Sequence, residues 1–153
     1  MTCKDSLRAL QEILATGIPL AKHLGVTVEA YDGACLTLTA PIAGNSNYHD
    51  TAFAGSLNAV TTLAGWGLLW LVLTETDLAA RIVIQESIIS YRKPVTRNFS
   101  ARCYKPTPRR IAQLFSALKR KGKARLELAA EICEGEELAV LFKGQYVVQL
   151  NTA

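Results

Sequence analysis

From Thr51 to Thr74 the chain reads TAFAGSLNAVTTLAGWGLLWLVLT, with no charge, no proline and apolar side chains on nearly every helical face. Such a segment is a helix of about 52–75 wrapped by the rest of the protein, unless it spans a bilayer. Ser56, Asn58, Thr61 and Thr62 interrupt its first half. Its flanks carry His49 and Asp50 before and Glu75 and Asp77 after, with no cluster of lysine or arginine to orient a span. We therefore read it as the buried spine of a soluble protein, with no membrane partner. Immediately before it, Asn45-Ser46-Asn47-Tyr48-His49-Asp50 gathers hydrogen-bonding groups where the free N–H groups of a helix N-terminus favour negative charge. That junction is the candidate site.

The remaining pattern predicts a mostly β protein around this helix. Ser6 to Thr16 has helical spacing, with Leu7, Leu10, Ile13 and Leu14 on one face; Gly17 closes it and Pro19 opens a short turn to Leu24. Val26, Val28 and Ala30 alternate with Thr27 and Glu29, then Asp32-Gly33 turns the chain into a return strand, Ala34 to Ala40. After the spine come a long strand from Arg81 to Val95, another from Asn98 to Lys105, and a helical stretch from Arg109 to Lys119. Strands from Gly122 to Cys133 and from Leu138 to Leu150 follow, joined by a turn at Glu134–Glu137. One apolar helix beside about six antiparallel strands implies an α+β fold, one domain over 1–153, with the sheet curled around the helix. Its unpaired edge strands imply a homodimer, or a dimer of dimers, in which sheets join.

Composition changes this picture little. Half of the residues are apolar and a fifth charged. Cys3, Cys35, Cys103 and Cys133 lie far apart without a CxxC pair, so neither a metal site nor a disulfide framework is expected, and the N-terminus lacks an apolar signal core. A cytoplasmic protein is the expectation. Charge is more informative: the formal net charge is +4, and cations concentrate from Arg92 to Arg125. Without interleaved aromatics or a nucleic-acid-binding signature, nucleic acid is not the expected partner. The basic residues are either a solvated face or a docking surface for an anionic carrier, a nucleotide-tailed thioester or an acidic carrier protein.

The run from Asn45 and Asn47 through Thr51-Ala52-Phe53-Ala54-Gly55-Ser56, then Leu63-Ala64-Gly65-Trp66-Gly67, then Ile82-Val83-Ile84, Ile88, Tyr91 and Pro94-Val95 resembles the hotdog-fold family called putative thioesterase, of the YiiD C-terminal type. The resemblance covers most of the chain. It implies a hotdog fold, a dimer, and an acyl or malonyl thioester carried on coenzyme A or acyl carrier protein. Similar proteins include malonyl-acyl-carrier-protein decarboxylases. No cofactor or metal is implied, the phosphopantetheine thioester being part of the substrate. The family often has glycine at the positions of Asp50 and Ala54.

Hydrolytic members of this fold need a carboxylate in the first turns of the helix, and Thr62 falls where that residue would stand. No carboxylate occurs between Thr51 and Thr74, so hydrolysis would need Asp50 or Glu86 as base. Decarboxylation of a malonyl thioester asks only for donors to the developing enolate oxygen and a dry pocket. The expected donors are the Gly55 N–H and the Asn45 side chain, with Asn47 as alternative; His49, Tyr48 or water returns the proton. Tyr48, Asp50, Phe53, Ala54, Ser56 and Thr62 are expected around the substrate, and Arg109, Arg110, Lys119 and Arg120 at the docked carrier. Each has a plainer reading: Asn45 and Asn47 as turn formers, Asp50 or Thr51 as helix cap, Trp66 and Trp70 as core, Gly65 and Gly67 as close-approach points. Ser56 lacks the GxSxG elbow of a serine hydrolase. A non-catalytic acyl-binding module is the third alternative.

Overall fold

A computed structural model describes residues 2–152; Met1 and Ala153, the ends of the expected 1–153 span, lie outside the described residues. In chain order the elements are α1 (Cys3–Gly17), α2 (Pro19–Leu24), β1 (Thr27–Tyr31), β2 (Cys35–Ala40), α3 (Ala54–Thr74), β3 (Ala80–Tyr91), β4 (Phe99–Tyr104), α4 (Pro108–Lys121), β5 (Lys123–Glu134) and β6 (Glu137–Leu150). The strands form one antiparallel sheet in the order β1-β2-β4-β5-β6-β3.

The apolar spine is α3. It packs against five strands, β2 through β6, and against α1 and α2. It is long and apolar enough to cross a membrane, but two-thirds of its most apolar window is buried inside the protein. The LAGWG segment is explained by these contacts. A Cβ at Gly65 would sit 2.2 Å from the Tyr146 hydroxyl, and that hydroxyl donates to the Thr62 carbonyl at 2.7 Å. Gly67 likewise leaves room for Leu36, whose methyl would lie 3.0 Å from an added Cβ. Strands thus approach the helix where it has no side chain.

Three expectations change. The β1 alternation is broken by a bulge at Glu29, so Tyr31 rather than Ala30 turns inward. The long strand ends at Tyr91 instead of Val95, because Pro94 cannot continue the ladder. The cap of α3 is Phe53, with no side-chain bond; Asp50 instead adopts a left-handed conformation (φ 62°) and Thr51 is held by Asn47. By contrast α4 begins as its residues imply, with Thr107 as cap, its Oγ1 3.4 Å from the Arg110 N–H, and Pro108 at the first helical position.

The two sheet edges differ. β3 is an edge strand whose Val83 and Ile88 are 50% and 73% exposed, with Tyr91 also open. Its pairing with β6 slips between Ile84 and Glu86, making Gln85 an extra residue. The slip matters to the site.

Candidate functional site at the N-terminus of the central helix

The loop before α3 is tied at its base by Asn45. This side chain is 2% exposed, and its amide donates to the Leu24 carbonyl at 2.7 Å and the Pro41 carbonyl at 2.8 Å. The Asn45 backbone carbonyl accepts the Phe53 N–H at 2.7 Å, and the Ala52 N–H reaches the Val95 carbonyl at 2.7 Å. Both amide protons of Asn45 are therefore committed to the backbone, and neither is left for a substrate oxygen. That corrects the expected donor: Asn45 fixes where the helix starts. Asn47 closes a turn, its oxygen accepting from the His49 N–H at 2.8 Å and its amide donating to the Thr51 hydroxyl at 2.8 Å. It too is spent locally. Tyr48 is 91% exposed and its ring lies 4.5 Å from that of His49 at the loop tip.

The first turn of α3 leaves two donors free. The Ser56 and Leu57 N–H groups both bond the Phe53 carbonyl, while the Ala54 and Gly55 N–H groups meet no acceptor among the described residues. Phe53 is half-exposed and its ring lies over Gly55, 2.3 Å from where a Cβ would be. The Ala54 carbonyl accepts from the Tyr91 hydroxyl at 3.2 Å, and burial pushes the pKa of that hydroxyl up, keeping it a donor.

Gly55 opens onto a cleft of about 400 Å³. One wall is the face of α3 made by Gly55, Asn58, Ala59, Thr62 and Leu63. The opposite wall is Ile18, Leu20 and Ala21 of the α1–α2 corner, and β3 closes the third side with Ile84 and Ser87. None of these lining residues is charged. Within the cleft the Thr62 hydroxyl donates to the Asn58 Oδ1 at 3.4 Å, and the Asn58 amide nitrogen has no acceptor among the described residues. One turn along the helix from the Gly55 N–H, Asn58 is the second donor that the sequence reading missed. Its signal was the helical spacing 55–58–62 of small and polar residues within an otherwise apolar segment.

The β3 bulge decides which side chain reaches this cleft. A regular strand would put Ile84 and Glu86 on one face; the extra residue pairs Ile84 with Ser87 there and removes Glu86 from the lining. Asp50, exposed in the loop, is also outside it. Neither candidate base for hydrolysis therefore touches the cleft of this chain. Of the other expected residues, Gly55 and Thr62 line the cleft. Phe53 caps the helix beside it, and Ser56 is buried beneath the first turn without lining the cleft. Ala54 lies on the far side of the helix start, in a smaller cleft of about 270 Å³ with Tyr91, Arg92 and Lys93. Arg109, Arg110, Lys119 and Arg120 are exposed along α4 and line neither cleft. Among the described residues no group of His, Cys, Asp and Glu is placed to hold a metal ion.

A sheet wrapped around one helix, with a neutral cleft at the helix N-terminus, defines a hotdog-fold protein. The structure of the E. coli PaaI protein from the phenylacetic acid degradation operon shares this fold, with a TM-score of 0.65 at 15% identity, covering 99% of this chain and 98% of that one. The putative thioesterase from Shewanella oneidensis superposes with a TM-score of 0.87 at 28% identity, covering 97% and 99%. A protein of unknown function from Chlorobaculum tepidum TLS superposes with a TM-score of 0.94 at 34% identity, covering 98% of both chains. Residues 7–150 match the family described as putative thioesterase (yiiD_Cterm), and the chain belongs to that family.

Proposed function

We propose that the protein acts on short acyl thioesters carried by acyl carrier protein or coenzyme A, and that its reaction is decarboxylation of a malonyl thioester to an acetyl thioester. The observation that carries this reading is a cleft with free donors at Gly55 and Asn58 and no charged side chain in its lining. The thioester oxygen would sit between the Gly55 N–H and the Asn58 amide, at the positive end of α3. The malonyl carboxylate would then face the opposite, apolar wall of Ile18, Leu20 and Ala21, which offers it no counter-cation. Breaking the bond between the carboxyl carbon and the α-carbon releases carbon dioxide and leaves its electron pair on the thioester as an enolate. The two donors stabilise that oxygen, and a proton from water completes the acetyl group. Tyr48 and His49, at the loop tip, are not needed.

Hydrolysis is the second reading, favoured by the description of the family and of the Shewanella protein. The same two donors would stabilise a tetrahedral oxyanion, but the water needs a base from outside the lining of this cleft. A chain that binds thioesters without turnover is the third. The partner expected at the open edge of β3 is a second copy of the chain, and a cytoplasmic location fits such substrates.

The test is mass spectrometry of malonyl-acyl carrier protein incubated with the pure protein. Acetyl-carrier formed by the wild type and lost with Asn58→Ala supports decarboxylation. Free carrier thiol selects hydrolysis, and unchanged substrate with retained binding selects the third reading.

A further inference from the structure

We propose that the exposed face of α4 is the docking surface for the acidic carrier protein itself, rather than for the nucleotide tail of coenzyme A. The proposal rests on the thioester reading above. α4 carries Arg109, Arg110, Lys119, Arg120 and Lys121 and no acidic residue, all five exposed. They outnumber the net charge of +4, so the remainder of the chain is slightly acidic and the positive field originates on this helix. The described ion pairs join Lys93 to Glu137, Arg97 to Glu134 and Lys105 to Glu75; none neutralises α4. Arg109 and Arg110 stand in the first turn, against the helix dipole, without an acid beside them. The Arg110 guanidinium donates to the Glu127 carbonyl at 3.2 Å, whereas Arg109 forms no ion pair among the described residues.

Geometry selects the occupant. Arg109 and Lys119 are ten residues apart on one helix, roughly 15 Å along its axis at 1.5 Å per residue. Two cationic clusters that far apart match an extended acidic surface; the diphosphate and 3′-phosphate of one nucleotide lie closer together and engage a single cluster. A lipid surface is disfavoured because the apolar stripe is already used, Leu114 and Leu118 being buried in the core and Ile111 and Phe115 packed on it. A second copy of α4 would bring like charges together.

The test titrates the full chain with apo-acyl carrier protein, which lacks the phosphopantetheine arm, and reads fluorescence anisotropy at low salt and at about 0.15 M. The wild type binds, and the higher salt weakens it. Arg109→Glu/Arg110→Glu and Lys119→Glu/Arg120→Glu each weaken binding by about tenfold. Lys4→Glu/Arg8→Glu, the same charge change on exposed positions of α1, leaves it nearly unchanged. The first pair removes the Arg110 bond to the Glu127 carbonyl but places acids where the helix dipole favours them, and circular dichroism checks the folding of both pairs. No binding by the wild type, an equal loss in all three double variants, or tighter binding of a short DNA duplex than of the carrier would overturn the proposal. Because the probe carries no thioester, turnover of malonyl-pantetheine by the wild type separately tests the reaction. Turnover without carrier binding removes the docking surface alone; carrier binding without turnover removes the reaction alone.

Discussion

Two asparagines separate structure from chemistry at the residue scale. Asn45 is buried and donates twice to carbonyls of segments distant in sequence or across the loop, so removing it strands the Leu24 and Pro41 oxygens. Asn45→Ala is expected to cost about 1–3 kcal/mol, lowering the melting temperature by roughly 3–10 °C. Asn58 is only partly buried, and its amide nitrogen has no acceptor among the described residues. Asn58→Ala should leave the melting temperature almost unchanged while lowering kcat by about 10²–10³-fold, the usual cost of one oxyanion donor. Denaturation and single-turnover kinetics on the two variants decide the matter; a stable, inactive Asn45→Ala would reverse the assignment.

Glu134 offers a pH handle on the same scale. The Thr96 hydroxyl and N–H both donate to its Oε2, at 2.6 and 2.8 Å, and Arg97 stands beside its Oε1, which holds its carboxyl below the ordinary 4.5. A depressed folded-state pKa contributes stability that is present above the unfolded value and is lost as pH falls through the folded one. Thermal melts should therefore show the wild type losing stability below about pH 4.5, with a shallower acid slope in Glu134→Gln. Parallel slopes would remove Glu134 from the account.

At the scale of elements, the contact between α3 and β6 rests on a missing side chain. Tyr146 is fully buried, with its hydroxyl on the Thr62 carbonyl, and Gly65 is the space it occupies. Gly65→Ala forces a methyl against that ring and is expected to destabilise by about 1–3 kcal/mol or more in chemical denaturation. Gly67→Ala meets terminal methyls, Leu36 at 3.0 Å and Leu10 at 3.4 Å, and should cost less. The reverse order would mean that β2, not β6, sets the depth of the helix. The glycine pair was legible in the sequence as a close approach, because an apolar helix has no other use for two glycines; which strands approach was not. The uncharged helix was legible too, but not its cap, which is Phe53, and the β3 bulge left no readable sign. Its consequence, Ser87 in the cleft in place of Glu86, reverses what alternation alone suggests.

At the scale of the whole molecule, β3 leaves one sheet edge open, with Val83 and Ile88 exposed on it. An open apolar edge pairs with another strand unless charge or proline prevents it. Sedimentation should give twice the 16.6 kDa monomer mass, and Ile88→Lys should shift the equilibrium toward monomer. A monomeric wild type would leave the edge blunted by some other means.

What the sequence determined by itself was the architecture and its charge. An uncharged helix must be wrapped, β-branched runs supply the wrapping, and a run of cations without acids must face solvent; these follow from periodicity and desolvation alone. The tertiary structure decided the chemistry of the cleft. Whether an asparagine points at a substrate or at a backbone carbonyl depends on segments as far away as Leu24, and whether a carboxylate reaches a pocket depends on one extra residue in a ladder. Composition and spacing along the chain do not encode those distances; the fold brings the groups together.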